Sequence, residues 1–314
     1  MDYNLLKSQE GISDLLGRIL KKKEVLDSCR PLPSSAIERV RQELSIEWTY
    51  NSNSIEGNSL TLAETRIVLQ DGLTIGGKPL REHFEAINHD KAINFLEELV
   101  NIAYEIRTID VLSIHELVMK NIDDQFAGRI RNGMVRILGA NFSPPSPEKV
   151  SDLLDTLIED VNLNVDNWDL PFLVTYFHHK LVWIHPFFDG NGRTGRLAMN
   201  LLFMKHGFPP AIILKNDRKK YYTALNLANN GDYSKLYLLI LQAIERSLNI
   251  YIQIIPKAYE VYESISTIAN DPEVPYGMEY ISLLARTGKI DAFKEGRNWV
   301  TTKNAVMTHH RAKQ

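Results

Sequence analysis

One short segment of the chain combines a potential base, a carboxylate, a glycine turn and two arginines. The segment reads His185-Pro186-Phe187-Phe188-Asp189-Gly190-Asn191-Gly192-Arg193-Thr194-Gly195-Arg196. Gly190 and Gly192 allow the backbone to turn its N–H groups inward. A helix is predicted from about Arg193 to His206, and the N-terminus of a helix attracts anions. The segment therefore has the features of a phosphate-binding loop.

The side chains of this segment also suggest catalysis. Arg193 and Arg196 lie three residues apart, so both can contact one phosphate chain. Asp189 is unsuited to direct contact with an anion, but it could bind a divalent cation that bridges it to the phosphates. His185 lies four residues before Asp189, within reach of the same site as a potential base. The sequence thus predicts a catalytic loop, and it lacks the G-x-x-x-x-G-K-(S/T) pattern of a P-loop.

The segment resembles the signature of the Fic family, H-P-F-x-(D/E)-G-N-(G/K)-R-x-x-R, and fills every specified position. The resemblance covers roughly residues 40–245, and its other parts are Gly128-Arg129-Ile130-Arg131, the prolines that follow, and Tyr221-Tyr222-x-x-Leu225 with Gly231-Asp232. It implies a protein adenylyltransferase, which transfers AMP from ATP to a Ser, Thr or Tyr hydroxyl of a target protein and releases pyrophosphate. Some relatives use other nucleotides or phosphocholine, so the donor stays open.

The resemblance and the chemistry together predict a role for each residue of the site. His185 is the expected general base, because imidazole has a reference pKa of ~6.5. Asp189 is the expected ligand of Mg²⁺, which bridges phosphates and neutralises developing charge. Phe187 is expected to pack beneath the loop. Phosphate contacts are expected from Gly190, Asn191, Gly192, Arg193 and Arg196, and adenine contacts from Tyr221 and Tyr222.

Other histidines raise the alternative of a metal cluster. His178 and His179 together with His185 could bind a transition metal, although Asp189 and the glycine turn suit a hard, oxygen-bound ion better. We therefore expect His178 and His179 to support the core. His89-Asp90 is reminiscent of metal phosphohydrolases, but no further ligands are recognisable in the sequence.

A second family pattern, (S/T)-x-x-x-E-(G/N), matches Ser52-Asn53-Ser54-Ile55-Glu56-Gly57. In proteins that carry this pattern the glutamate pairs with the second signature arginine and blocks productive ATP binding. Here that pair is Glu56 with Arg196, so an autoinhibited enzyme is expected. The alternatives are an ordinary solvent-facing glutamate, or a hydrolase in which Glu56 orients water to remove AMP from a modified target.

Helical periodicity dominates the chain, so the predicted fold class is all-α, with a Fic core, a short β-hairpin flap near residues 135–142 and a small C-terminal module. Thr61 and Glu64 form a capping-box pattern, Gly72 ends that helix, and Asp169 with Pro171 begins another. The predicted domains are an N-terminal helical region carrying the inhibitory motif (1–105), the catalytic core (106–258) and the tail (272–314).

The tail resembles the excisionase-like or winged helix-turn-helix modules of some Fic proteins, with a helix, a turn and a small hairpin. The sequence from residue 286 onward contains seven Lys or Arg residues and two acidic residues, which gives a net charge of about +5. A DNA-binding regulator is therefore an alternative function. Target docking or homodimerisation through the tail would explain the module equally well.

Composition places the 314-residue chain among globular proteins of about two domains, with 44% hydrophobic and 24% charged residues. The net charge of −3 argues against nucleic-acid or membrane binding by the whole molecule. A single cysteine, Cys29, fits a reducing compartment. The first residues lack a leader pattern and no apolar run approaches ~20 residues, so a cytoplasmic location without a membrane span is expected.

Overall fold

The computed structural model describes residues 3–30, 34–100, 105–137, 139, 142–164, 167–253 and 261–313. Helices account for most of them. Their bounds are α1 Tyr3–Lys7, α2 Glu10–Ser28, α3 Ser34–Ile55, α4 Leu62–Arg66, α5 Leu80–Val100, α6 Thr108–Met119, α7 Val150–Leu163, α8 Leu170–Ile184, α9 Asn191–Lys205, α10 Arg218–Ala228, α11 Ser234–Ile252, α12 Ile265–Ala269, α13 Met278–Arg286 and α14 Lys303–Ala312. The strands are β1 Glu263–Ser264, β2 Ala292–Glu295 and β3 Asn298–Thr301.

The chain divides into two compact units. The larger unit is Arg41–Asp232, and the smaller joins Met1–Val40 to Tyr233–Gln314. The larger unit carries the whole segment from the inhibitory motif to the signature loop. The three-part division expected from the sequence, at 1–105, 106–258 and 272–314, stays a prediction.

The centre of the larger unit is α9. Every residue of this helix is buried except Gly192 and Met204. Helices α5, α6 and α8 pack around it, which explains why its inward positions are filled by Leu197, Leu201 and Phe203, all essentially inaccessible to solvent. The signature loop therefore leads into a helix that its neighbours hold rigidly in place.

Three helix boundaries in the larger unit confirm the sequence prediction. At α4, the backbone N–H of Glu64 donates to Thr61 Oγ1 at 3.2 Å and the N–H of Thr61 donates to Glu64 Oε2 at 2.7 Å, a complete capping box. A π-helical turn follows and ends at Gly72, whose φ of 66° is left-handed. At α8, Asp169 Oδ1 accepts from the N–H of Phe172 at 2.9 Å.

The smaller unit packs α2 against α11 and adds a compact tail. Glu245 on α11 accepts from Arg18 at 2.8 Å and from Lys22 at 3.0 Å, and Lys22 also pairs with Asp291 at 2.7 Å. These pairs join α2 and α11 to the loop that precedes β2. The strands form one antiparallel sheet in the order β1-β3-β2, with Phe293 opposite Val300. The helix, turn and hairpin predicted for the tail are thus confirmed, while its winged helix-turn-helix assignment stays a prediction.

Some elements differ from their predicted form. The signature helix begins at Asn191 and ends at Lys205, rather than running from about Arg193 to His206, because Gly190 serves as its N-cap at φ 75°. The segment 134–137, where a strand of the flap was predicted, is irregular, and residues 138, 140 and 141 lie outside the described residues. The predicted end of the catalytic core at residue 258 also lies outside them. Across the described part of the chain, no helix has the length and apolar character of a membrane span.

Candidate active site

His185 lies where the buried helix α8 ends. Its backbone takes the left-handed conformation at φ 53°, which is uncommon for a residue other than glycine, and its N–H donates to the carbonyl of Leu181 at 3.1 Å. Such a conformation persists where surrounding contacts hold it. This turn carries the chain from α8 into the signature loop.

Arg131 supplies several of those contacts from a fully buried position. Its Nε donates to the carbonyl of His185 at 2.8 Å, and its two Nη atoms donate to the carbonyls of Gly133 at 2.9 Å and Pro145 at 2.6 Å. Its backbone N–H donates to the carbonyl of Pro186 at 2.9 Å. The guanidinium therefore fixes the backbone of the signature loop to the carbonyls of Gly133 and Pro145. Burial lowers the pKa of Arg131.

The side chain of His185 is suited to accept a proton through Nε2. Its Nδ1 lies 3.3 Å from the carbonyl of Val182. Because a carbonyl can only accept, Nδ1 carries the proton and Nε2 keeps its lone pair. Burial, opposed by the Val182 hydrogen bond and reinforced by the charge of Arg131, lowers the pKa of His185 to about 4. The imidazole is neutral at pH 7.

Asn191 and Phe187 hold the loop in its turn. Asn191 Oδ1 accepts from the N–H of Phe187 at 2.9 Å, and its Nδ2 donates to the carbonyl of Phe187 at 2.8 Å. The amide group of Asn191 thus holds the loop itself through Oδ1 and one of the two N–H donors of Nδ2. The ring of Phe187 lies under the loop as predicted, stacked on His115 with ring centroids 3.6 Å apart.

The N-terminus of α9 gives the loop its positive character. The first N–H groups of a helix have no partner within the helix, and the helix dipole makes this end attract anions. Arg193 and Arg196, both almost fully buried, add two fixed positive charges in the first turns. The phosphate-binding groups expected at Gly190, Gly192 and the two arginines are therefore brought together at one end of α9.

Asp189 lies half exposed at the edge of this site. Its Oδ1 accepts from the N–H of Gly190 at 2.6 Å and lies 3.6 Å from Arg193 Nη2, while Oδ2 pairs with Arg81 at 2.5 Å. Burial tends to raise the pKa of Asp189, but Arg193, the Gly190 N–H and Arg81 outweigh it, so the pKa lies below its usual value. An ionised carboxylate beside phosphate-binding groups fits Mg²⁺, which binds through one or two carboxylates and substrate phosphates.

Glu56, at the end of α3, contacts Arg196 as the sequence pattern predicts. Its Oε1 lies 2.8 Å from Arg196 Nη2. Ser52 completes the contact, since its hydroxyl accepts from Arg196 Nε at 3.1 Å and its carbonyl accepts from Nη2 at 2.8 Å. Burial tends to lower the pKa of Arg196, but the charge of Glu56 leaves it raised. Gly57 follows with a φ of 106°, which favours glycine at this turn.

These groups face one cavity of about 660 Å³ within the larger unit. Its wall brings together the predicted base, carboxylate, arginines and inhibitory glutamate. The lining also includes both tyrosines that were expected near adenine. The lining residues are Glu56, Arg136, Ile137, Gly139, Phe142, His179, Val182, Trp183, His185, Phe188, Asp189, Gly190, Asn191, Gly192, Arg193, Arg196, Arg218, Tyr221, Tyr222, Leu225, Asn226 and Asn229.

The two tyrosines differ in their contacts. Tyr221 is fully buried and its hydroxyl lies 2.8 Å from His178 Nε2, while His178 Nδ1 lies 3.1 Å from the carbonyl of Gly195. His178 thus donates to that carbonyl and accepts from Tyr221, a supporting role in the core. Tyr222 is partly buried, with Arg218 over its ring at 5.0 Å. Tyr222 is therefore less enclosed by the core than Tyr221.

The alternative metal sites are not supported. Within the described ranges, no group of three or more His, Cys, Asp or Glu side chains is placed to hold a metal ion. His179 contacts Asn229 at 2.9 Å instead. His89 Nδ1 lies 3.1 Å from Thr49 Oγ1, and Asp90 accepts from Ser45 at 2.7 Å, so both side chains have contacts within the helical core.

Comparison with known proteins identifies the family. Residues 83–203 match the Fic/DOC family. Over 225 residues the chain is 39% identical to protein adenylyltransferase fic-1 of Caenorhabditis elegans, covering 70% of this chain and 43% of that protein. A solved fragment of Fic-1 from C. elegans is 36% identical, covers 77% of this chain and 71% of the fragment, and superposes with a TM-score of 0.68. The chain belongs to the Fic/DOC family.

Other Fic proteins extend this likeness. Protein adenylyltransferase Fic of Culex quinquefasciatus is 38% identical over 239 residues, covering 75% of this chain and 47% of that protein. A Fic-domain signaling protein from Bacteroides thetaiotaomicron shares the fold at 23% identity and a TM-score of 0.71. The chain spans about half the length of the curated relatives that it matches.

Several residues around the Fic signature have no signal of their own in the sequence. Arg81 contacts Asp189, and Glu85 lies 3.4 Å from Arg193. His115 lies 3.1 Å from the carbonyl of Asp189 and accepts from the N–H of Gly128 at 3.0 Å. These three residues lie far from the signature in the chain, and the packing of α5 and α6 on α9 brings them there.

Proposed function

We propose that this chain is a protein adenylyltransferase that transfers AMP from ATP to a Ser, Thr or Tyr hydroxyl of a target protein. One observation carries the proposal. His185, whose Nε2 is unprotonated, lines the same cavity as the first residues of α9 and the arginines Arg193 and Arg196. A base beside a phosphate-binding helix end suits attack by a hydroxyl on a phosphorus atom.

In the proposed reaction, the target hydroxyl gives its proton to Nε2 of His185 as its oxygen bonds to the α-phosphorus of ATP. The bond from that phosphorus to the pyrophosphate oxygen breaks, and pyrophosphate leaves. The N–H groups at the start of α9 and the two arginines stabilise the negative charge on the phosphates. Mg²⁺, with Asp189 as its protein ligand, would supply further charge neutralisation when bound.

Glu56 makes the enzyme autoinhibited in this proposal. Arg196 cannot hold the outer phosphate of ATP at full strength while the Glu56 carboxylate lies 2.8 Å from it. The same carboxylate also lines the cavity and would repel a triphosphate. A hydrolase that removes AMP with Glu56 orienting water is the alternative within the same site. Incubation of an AMP-modified target with the protein and metal, without ATP, separates the two reactions.

Replacement of the proposed base tests the function. In a Glu56→Gly background, we expect His185→Ala to abolish AMP transfer and to leave ATP binding within about twofold, because the base acts on the target hydroxyl. A transfer assay with labelled ATP and calorimetry measure the two effects. His310→Ala, which changes a histidine in the smaller unit, is the matched control. Undiminished transfer by His185→Ala would refute the role of the base.

The tail supports a second candidate function, DNA binding. Its hairpin carries Arg297 between β2 and β3, in the position of a wing tip. Two of its lysines already have acidic partners within the smaller unit, since Lys289 pairs with Glu10 at 2.7 Å and Lys303 with Asp271 at 2.8 Å. If the tail binds DNA, Arg297→Ala should reduce the salt dependence of duplex binding by about one charge. Absence of duplex binding at low salt would leave docking or homodimerisation as the role of the tail.

A cytoplasmic location completes the proposal. It is supported by the single Cys29, which cannot form a disulfide within the chain.

A further inference from the structure

Arg81, the second residue of α5, contacts the carboxylate that the proposed function assigns to Mg²⁺. Its Nη2 lies 2.5 Å from Asp189 Oδ2, and its Nε lies 3.2 Å from Glu85 Oε1. Arg81 does not belong to the wall of the cavity. Any influence of Arg81 on the reaction therefore passes through Asp189 and Glu85.

The contacts of Asp189 and Glu85 form a closed ring of alternating charge. Arg193 lies between the same two carboxylates, with Nη1 at 3.4 Å from Glu85 and Nη2 at 3.6 Å from Asp189 Oδ1. The N–H of Gly190 donates to Asp189 Oδ1 as well, at 2.6 Å. Each oxygen of Asp189 thus already accepts from, or faces, a positively charged or donating group.

We propose that Arg81 is a positioning residue that acts through Asp189 and lowers its affinity for a divalent cation. This inference rests on the proposed function, which makes Asp189 the metal ligand. A cation at Asp189 needs a lone pair of its carboxylate and is repelled by a guanidinium on the same group. Arg81 on Oδ2 therefore opposes binding of the cation, and Glu85, 3.2 Å from its Nε, can hold the guanidinium when it moves away from Asp189.

The geometry also limits the size of this effect. The side chains of Arg81 and Asp189 are 54% and 48% exposed, so solvent screens their attraction. An exposed pair of this kind is worth at most about 1 kcal/mol, which corresponds to about fivefold in a dissociation constant. Arg81 thus lowers the affinity of Asp189 for Mg²⁺ only modestly. It acts on a different contact from that between Glu56 and Arg196.

Magnesium binding tests the proposal directly. MgCl₂ is titrated by calorimetry into the Glu56→Gly protein that holds a non-hydrolysable ATP analogue. We expect Arg81→Met to bind Mg²⁺ about three- to fivefold more tightly. Arg81→Lys, which restores the positive charge, should return the affinity toward that of Arg81. Lys78→Met is the matched control, because it removes one positive charge from a lysine that contacts the carbonyl of Ser59 at 2.7 Å rather than Asp189. This variant should leave the Mg²⁺ affinity unchanged.

Two outcomes would overturn the proposal. Unchanged or weaker Mg²⁺ binding in Arg81→Met would show that Arg81 does not compete for the carboxylate, and weaker binding would show that it orients Asp189 toward the metal. Undiminished Mg²⁺ binding in Asp189→Asn would place the metal elsewhere. Calorimetry measures Mg²⁺ binding without a target protein, whereas the transfer assay measures the proposed activity. Failure of this inference can therefore be told apart from failure of the proposed function.

Discussion

Removal of the Glu56 carboxylate should raise the proposed AMP transfer, and the structure sets the size of the gain. Glu56→Gly deletes the contact of 2.8 Å between Oε1 and Arg196 Nη2. Arg196 is only 3% exposed, whereas Glu56 is 34% exposed, so the pair is partly screened by solvent. The freed Arg196 keeps its hydrogen bonds to Ser52 and so stays directed toward the cavity.

Charged hydrogen bonds contribute about 1.5–3 kcal/mol, and the exposure of Glu56 places this one near 1.5–2 kcal/mol. Since about 1.4 kcal/mol corresponds to a factor of ten, the expected gain in AMP transfer is about 12- to 30-fold. The gain should appear in self-modification as well as in transfer to a target, because both reactions need the outer phosphate of ATP to reach Arg196.

A transfer assay with labelled ATP, saturating magnesium and a known acceptor measures this gain. Glu56→Gln keeps the size of the side chain and removes its charge, so it should give an intermediate rate. The double variant Glu56→Gly with Arg196→Ala should lose most of the gain, because the two effects act through one contact. Equal rates for Glu56→Gly and the parent would refute the inhibitory role and leave Glu56 as an ordinary glutamate.

Two further predictions concern pH and the buried arginine. Burial is the main cause that lowers four histidine pKa values, to about 3 or 4, in His178, His115, His179 and His185. In the unfolded chain these histidines bind a proton at higher pH than in the folded chain. The free energy of unfolding should therefore be greatest above pH ~6.5 and should fall toward pH ~4, by up to about 1.4 kcal/mol per pH unit for each histidine. An equal urea midpoint at pH 7 and pH 5 would contradict this prediction. Arg131→Met should lower the free energy of unfolding by about 2–4 kcal/mol, as measured by urea denaturation. It should also raise the pKa of His185, as measured by NMR titration. An unchanged pKa of His185 would show that Arg131 acts on the backbone alone.

The sequence predicted the parts of the site that lie close together in the chain. The signature loop and the caps at Thr61 and Asp169 follow from local rules of turns and helices. The contact between Glu56 and Arg196 crosses a long stretch of chain, and only the resemblance to the Fic family predicted it. Local propensity has no information about such a pair, because the packing of separate helices creates it.

The same limit explains what the sequence did not reveal. Arg81 and His115 reach the loop only because α5 and α6 pack on α9, and neither lies in a recognisable motif. The sequence did not predict that the amide of Asn191 bonds the backbone of Phe187, and the expected phosphate contact of Asn191 stays a prediction. A short polar side chain beside a turn can satisfy either the loop or a ligand, and residue type alone does not decide between them.

The bare backbone of Gly192 makes positions 56 and 192 interdependent. A Cβ atom on Gly192 would lie 2.1 Å from Glu56 Oε1, closer than atoms can approach. The carboxylate is the flexible end of the Glu56 side chain. Even a methyl group at position 192 would therefore displace this carboxylate from its contact with Arg196. We therefore expect that homologous chains with a residue larger than glycine at the position of Gly192 lack the contact between the inhibitory glutamate and the second signature arginine. Under the proposed autoinhibition, a mutation at 192 would therefore raise AMP transfer without any change in residues 52–57.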